Sequence, residues 1–307
     1  MIQIFRLYRV MLILGLLVTS GCGGGDGDDP PFSPPAPGGA GSTTIRVSVG
    51  SEADDSSFTP SISADGRFIA FASDATNLIG ANDINGVRDI FIRDRDKDND
   101  GIFDEPGPGD RETVRVSVDS SGNETDDSSF TPSISSDSRF IAFASDATNL
   151  VGANDTNGVR DIFIHDRDKD NDGIFDESGP GDRETIRVSI DSSGNEVFDS
   201  SANPSISSNG RFVAFQSNAT SLVAGDTNGV QDIFIHDRDT DNDSIFDEMN
   251  LIATFRSSID TNNNQSDDTS SNAVISSDGN HIAFESDATN LVTGDLNGVK
   301  DIFVRSP

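Results

Sequence analysis

One cysteine, one tyrosine and no tryptophan occur in the 307 residues. A single thiol, Cys22, excludes an internal disulfide and any zinc site built from cysteines. Cationic side chains are scarce: 21 Lys and Arg stand against 53 Asp and Glu, for a formal charge of −32. A surface of that sign repels nucleic acid and anionic lipid headgroups and attracts cations, divalent ones above all. Aromatics that stack on sugars are nearly missing, since the lone Tyr8 falls in the N-terminal leader. The chain holds no G-x-S-x-G elbow, no H-E-x-x-H pair and no phosphate loop, so hydrolase, zincin and NTPase chemistry lacks its carriers. Segments with a helical period are absent too.

The one long apolar run, "VMLILGLLV", is too short to span a bilayer. Arg6 and Arg9 precede it and Thr19-Ser20-Gly21-Cys22 follows it, the layout of an export signal. The ending resembles the bacterial lipoprotein signal, which implies lipidation of Cys22 after removal of residues 1–21, anchorage in a cell envelope and, with Gly23 next, transport to the outer membrane. Residues 22–42 are rich in Gly and Pro and nearly free of large apolar side chains. They cannot build a core and read as a tether reaching roughly 25 Å.

From residue 43 onward the chain repeats itself. "PSISADGRFIAFASDATNL" at Pro60 returns at Pro132, Pro204 and, altered, at Ala273. Its marker isoleucines are Ile62, Ile134, Ile206 and Ile275, a period of 72, 72 and then 69 residues. The units run over about 43–118, 119–190, 191–259 and 260–307. Each holds four short runs rich in β-branched residues and Phe, which in the second unit are "PSIS", "RFIAFAS", "DIFIHD" and "TIRVSI". Asp65-Gly66 and its counterparts Asp137-Ser138, Asn209-Gly210 and Asp278-Gly279 separate the first two runs, the chemistry of a tight hairpin turn.

Four antiparallel strands per unit is the arithmetic of a propeller blade. "PSISADGRFIAFASDATNL" and "DINGVRDIFIRDR" resemble the WD40-like, or PD40, repeat of TolB-type proteins over residues 43–305. Two features depart from that pattern: such rings usually carry six blades, and their repeats lack a long acidic insert. The expected fold is all-β, a β-propeller of four four-stranded blades. Unit four stops after "DIFVRSP", whereas "TTIRVSVG" at Thr43 to Gly50 stands ahead of unit one and matches "ETVRVSVD" at Glu112 to Asp119. An N-terminal strand is therefore expected to complete the last blade and close the ring; an open array, or a ring finished by a second chain, is the alternative.

"DRDKDNDGIFDE" occurs at Asp94 and again at Asp166, inside connections long enough to require a reason for their order. Asp96, Asp98 and Asp100 alternate, Gly101 permits a sharp bend, the carbonyl of Ile102 follows, and Asp104 takes the ninth place. That is the ligand spacing of a calcium loop. Uncompensated, each carboxylate pair about 4 Å apart repels by about 1 kcal/mol in water and about 4 kcal/mol at an effective dielectric near 20. Position 12 is Gly107 and no helix flanks the loop, unlike an EF-hand; the pattern is closer to the Asp-rich loops of thrombospondin type 3 repeats. Asp168, Asp170, Asp172, Ile174 and Asp176 form the second candidate set, and Asp239, Asp241, Asp243, Ile245 and Asp247 the third. Ser244 replaces the glycine in the third, which predicts a weaker site. Glu105, Asp110, Glu177, Asp182 and Glu248 are further possible donors. Calcium is the expected ion, magnesium fits less well because it keeps more water, and a solvated acidic loop is the plainer alternative.

The recurring Asp83/Asn85/Asp89 set, with the counterparts beginning at Asp155, Asp226 and Asp295, reads as a turn held by side-chain hydrogen bonds, ahead of a second metal site. His165, His236 and His281 sit at strand positions that other units fill with Arg or Phe. Gln216 and Glu285 replace the alanines at 72 and 144. Both fall near the expected central channel; the competing class, a glycan-acting or other hydrolytic propeller enzyme, would require asymmetric acid and base residues around Glu285. The expectation is instead a non-catalytic binding or scaffold module at the envelope, with a protein or envelope partner, a membrane attachment through Cys22 and no nucleic acid.

Overall fold

The computed structural model describes residues 44–48, 52–80, 83–152, 155–179 and 181–306. The signal, Cys22 and the whole of the tether lie outside them. Fifteen strands form four antiparallel sheets among the described residues. Blade one is β1 (Ser57–Ile62), β2 (Phe68–Ser73), β3 (Asp89–Asp94) and β4 (Glu112–Arg115); blade two is β5 (Ser129–Ile134), β6 (Phe140–Ser145), β7 (Asp161–Asp166) and β8 (Glu184–Arg187). Blade three is β9 (Ser201–Ile206), β10 (Phe212–Ser217), β11 (Asp232–Asp237) and β12 (Ala253–Arg256), and blade four is β13 (Ser270–Ile275), β14 (Ile282–Ser286) and β15 (Asp301–Arg305). Within each sheet the strands pair in sequence order. The chain is an all-β propeller fold whose blades coincide with the four repeats.

Local chemistry sets each blade. The first turn places Gly66 at φ 76°, Gly210 at 76° and Gly279 at 75°, and Ser138 takes the same left-handed conformation at 69°. Each first strand is bulged, with Thr59, Thr131, Asn203 and Asn272 at φ between 46° and 53°. The two central strands register Phe on Phe: Phe71 faces Phe91, and Phe143 faces Phe163, with ring centroids 6.1 and 6.0 Å apart.

The seams between blades hold the core. Ala70, Ala72, Ile90, Ile92 and Val116 of blade one bury themselves against Ile134, Ile141 and Phe143 of blade two. Blade two repeats the arrangement against Val213 and Phe215 of blade three, and blade three against Ile282 and Phe284 of blade four. At the second seam the close approach requires glycine, because a Cβ on Gly210 would stand 2.2 Å from the ring of Phe140.

The closing strand is not formed among the described residues. Blade four has three strands, and residues 44–48 have no strand pairing. Arg46 instead pairs with Glu52 at 3.2 Å, the local half of the contact that Arg115 makes with Glu124 at 2.5 Å. Arg115 stands on a strand paired to β3; Arg46 has no β15 beside it.

Candidate metal centres

The acidic inserts lie between the third and fourth strands of blades one to three. In each, the first aspartate is buried and shapes the loop. Asp96 is 3% exposed, and its carboxylate accepts from the N–H groups of Asp100 and Gly101, both at 3.0 Å. Asp168 does the same for Asp172 and Gly173, and Asp239 for Asp243 and Ser244. Asn99 at φ 58° and Gly101 at 87° complete the bend. The third loop reaches it with Ser244 at φ 72°, a conformation that disfavours a residue with a Cβ by about 1 kcal/mol.

This winding brings three carboxylates together in each loop. Asp96, Asp98 and Asp100 offer oxygens within 4.8 Å of one another, as do Asp168, Asp170 and Asp172, and Asp239, Asp241 and Asp243. Desolvation first, then repulsion from Asp100, Asp110 and Asp96, raises the pKa of Asp98. Asp170 and Asp241 are raised in the same way. Glu105 is raised by desolvation and then by Asp100, Asp110 and Asp98, and Glu177 by the equivalent set. Both Glu105 and Asp110, and both Glu177 and Asp182, therefore border the first two triplets.

The third loop is poorer. Lys97 and Lys169 donate backbone hydrogen bonds to the carbonyls of Asp110 and Asp182, and in the third loop Thr240 donates to Leu251. An acid is thus replaced by leucine at that place. Ile102, Ile174 and Ile245 follow the bends, with side chains 55, 54 and 56% exposed.

The aspartate at the ninth place does not join the triplet. Asp104 is ion-paired with Arg95 at 2.5 Å, Asp176 with Arg167, and Asp247 with Arg238 at 2.5 Å. The arginine itself is a functional residue that spacing alone did not single out. Arg167 is fully buried, stacked 4.5 Å from the ring of Phe68 in blade one and 4.6 Å from that of Phe175 in its own loop. It also donates to the carbonyl of Ser138 at 2.7 Å. Arg238 repeats this between Phe140 of blade two and Phe246. The inserts of blades two and three therefore each grip the blade before them. The signal available in the sequence was the invariant Arg-Asp before the triplet and the Phe after it. Phe175→Ala is expected to lower stability by about 2 kcal/mol by opening this stack, measured by urea unfolding, whereas Phe103→Ala, in the insert with no blade ahead of it, should cost less than half as much.

The donor chemistry fits a hard cation. Carboxylates and a backbone carbonyl are oxygen ligands, with no thiolate or imidazole among them, which suits calcium and disfavours softer transition metals.

The Asp83/Asn85/Asp89 set forms a charged turn with a resident cation. Arg115 lies 2.9 Å from Asp89, 3.4 Å from Asp83 and 2.5 Å from Glu124. Asn85 donates to Asp89 at 3.0 Å, and Ser117 at 2.6 Å. Burial and then repulsion from Asp89 push Asp83 up to about 6; burial raises Asp155 to about 6 against the pull of Arg187. The guanidinium takes the place a metal would need. Asp54, Asp126 and Asp267 accept from the backbone and hydroxyl of Thr76, Thr148 and Thr289, tying surface turns together.

The asymmetric polar residues are likewise engaged. Gln216 accepts from the backbone N–H of Asn272 across the seam at 3.0 Å, and Glu285 pairs with Lys300 at 3.4 Å. His165 and His236 are buried strand residues bonded to Thr185 and Thr254.

The geometry is that of an all-β propeller fold with three aspartate triplets, each able to hold a metal ion. Neither a family model nor a curated protein matches the chain. Among solved structures, TolB from Acinetobacter baumannii is 16% identical with a TM-score of 0.37, over 82% of this chain and 44% of that one. TolB of Agrobacterium tumefaciens, so described as putative, is 15% identical with a TM-score of 0.41, over 81% of this chain and 60% of the other. The tricorn protease is 13% identical with a TM-score of 0.39, over 78% of this chain and 20% of its own. The chain spans about half the length of the two TolB structures.

Proposed function

We propose that this chain is a calcium-binding, non-catalytic propeller module, held at a bacterial envelope through Cys22 and presenting its loops to a protein or envelope partner. The observation that carries the reading is the set of three preformed aspartate triplets, each wound by backbone hydrogen bonds around a buried first aspartate. The ion offsets their mutual repulsion, and because the second and third inserts also carry the arginine clasp, a filled loop there stiffens the seam behind it. Anchorage follows from the lipoprotein-like leader and the Gly/Pro tether, with the outer membrane as the destination. The charge of −32 favours cations and opposes nucleic acid. Engagement of Gln216 and Glu285 in structural contacts supports a scaffold in preference to an enzyme.

Thermal unfolding in EDTA and then at about 5 mM calcium tests this. With dissociation constants of roughly 10⁻⁴ to 10⁻³ M, two loops should add about 2 to 4 kcal/mol, raising the melting temperature by roughly 5 to 10 °C. An Asp98→Asn, Asp170→Asn double variant should lose most of that gain, and Asp241→Asn little of it. A gain that magnesium or simple salt reproduces in full would show solvated acidic loops instead.

A further inference from the structure

Every internal seam is made from the same parts, and both halves recur uncovered at the ends of the array. On the leading side, Ile134 and Ile206 are each 8% exposed where they meet the preceding blade, whereas Ile62 of blade one is 59% exposed. On the trailing side, Ile90, Ile162 and Ile233 are 0% exposed, whereas Ile302 of blade four is 70% exposed. Val304 repeats the contrast at 67%, against 1% for Ile92.

The polar parts match as well. At each seam the first-strand serine N–H donates across to a carbonyl: Ser129 to Arg88 at 2.7 Å, and Ser201 to Arg160 and Ser270 to Gln231 at 2.8 Å. Ser57 and Lys300 hold those two places at the ends. The third seam adds the bond from the Asn272 N–H to the Gln216 side chain at 3.0 Å. Glu285, a stronger acceptor, stands at the place of Gln216, and Thr59 at that of Asn272. Blade four also offers a hollow of about 790 Å³, lined in part by Leu296, Ile302, Phe303 and Val304, on the side of β15 where the other three blades carry a fourth strand.

We propose that the trailing face of blade four in one copy docks the leading face of blade one in a second copy, continuing the internal seam between chains. The contact is heterologous, so a ring forms if the rotation closes and a filament if it does not. Docking carries the segment Arg46–Ser48 of the incoming copy alongside β15. Arg46 then reaches Asp295 and Asp301 as Arg115 reaches Asp83 and Asp89. The apolar seam supplies the attraction, and salt near 0.15 M screens the repulsion between two acidic chains over about 8 Å.

The test is light scattering of the purified full chain at about 50 μM, a concentration that populates contacts of micromolar strength. The wild type should show two or more copies. Ile62→Glu and Ile302→Glu each bury a charge in every contact and should run as single chains while keeping wild-type circular dichroism. Mixed one to one, each variant still supplies one intact face, and a two-chain species should reappear. A single-chain wild type, with the ends closed on each other or left open, overturns the proposal. So do variants that stay assembled, or a mixture that stays monomeric.

Discussion

Asp161→Ala is expected to destabilise the protein by about 3 to 5 kcal/mol, whereas Asp301→Ala, at the same place of the same motif, should cost under about 1 kcal/mol. Asp161 is 0% exposed. Its carboxylate accepts from Arg187 and Asn157, both at 2.9 Å, and from Ser189 at 2.6 Å. Removing it leaves a buried guanidinium short of its nearest anion and strands two polar side chains. Asp301 is half-buried and accepts from Asn297 at 2.6 Å, and in the single chain, at the dilution of a melt, no arginine-bearing strand among the described residues lies against β15. Urea unfolding of the two variants checks the contrast, and equal losses would contradict it.

That contrast shows where reading the sequence stops. The four repeats, their strands, the hairpin turns and the aspartate triplets were legible, because alternation, glycine placement and ligand spacing encode local backbone geometry. The partner of Asp104 was not. Spacing put it ninth in a calcium loop, but an arginine nine residues earlier competes for it, and that choice depends on how the insert packs on its own blade. The closing strand, not formed among the described residues, depends on a related question: likeness of "TTIRVSVG" to a blade strand shows that it can pair, not that an edge lies beside it. Equal motifs at Asp161 and Asp301 gain different surroundings from position in the array alone.

Acid should weaken the fold through two histidines. His165 is 1% and His236 0% exposed, and burial lowers both to about 4, against the smaller pull of Asp176 and Asp247. The hydroxyls of Thr185 and Thr254 donate to the carbonyls of Val118 and Ile190, so each histidine Nδ1 donates to its threonine, and in His236 the neutral ring leaves a buried Nε2 without a hydrogen bond. The folded pKa is depressed below the unfolded value near 6.5. The unfolded chain therefore binds more protons between the two values, and stability that is complete above about pH 6.5 is lost as pH falls toward 4. Each histidine contributes about 3 kcal/mol to that loss by pH 4. Asp83 and Asp155 work in the opposite direction, since their raised values let the folded state take up protons first. A His165→Gln, His236→Gln variant retains those carboxylates. Its stability should therefore fall less than wild type between pH 6.5 and 4, by about 6 kcal/mol in sum. Parallel pH profiles from denaturant melts would remove the histidines from the account.

The arginine clasp points one way along the chain. Arg167 closes on Phe68 and Arg238 on Phe140, so blades two and three each bring the grip for the blade already made. A chain delivered N-terminus first, through a ribosome or an export pore, thus meets its fasteners in order. Blade one is secured when Phe175 and Asp176 emerge, and blade two some seventy residues later with Phe246 and Asp247. Assembly becomes vectorial, with each fastener closing on a blade already in place.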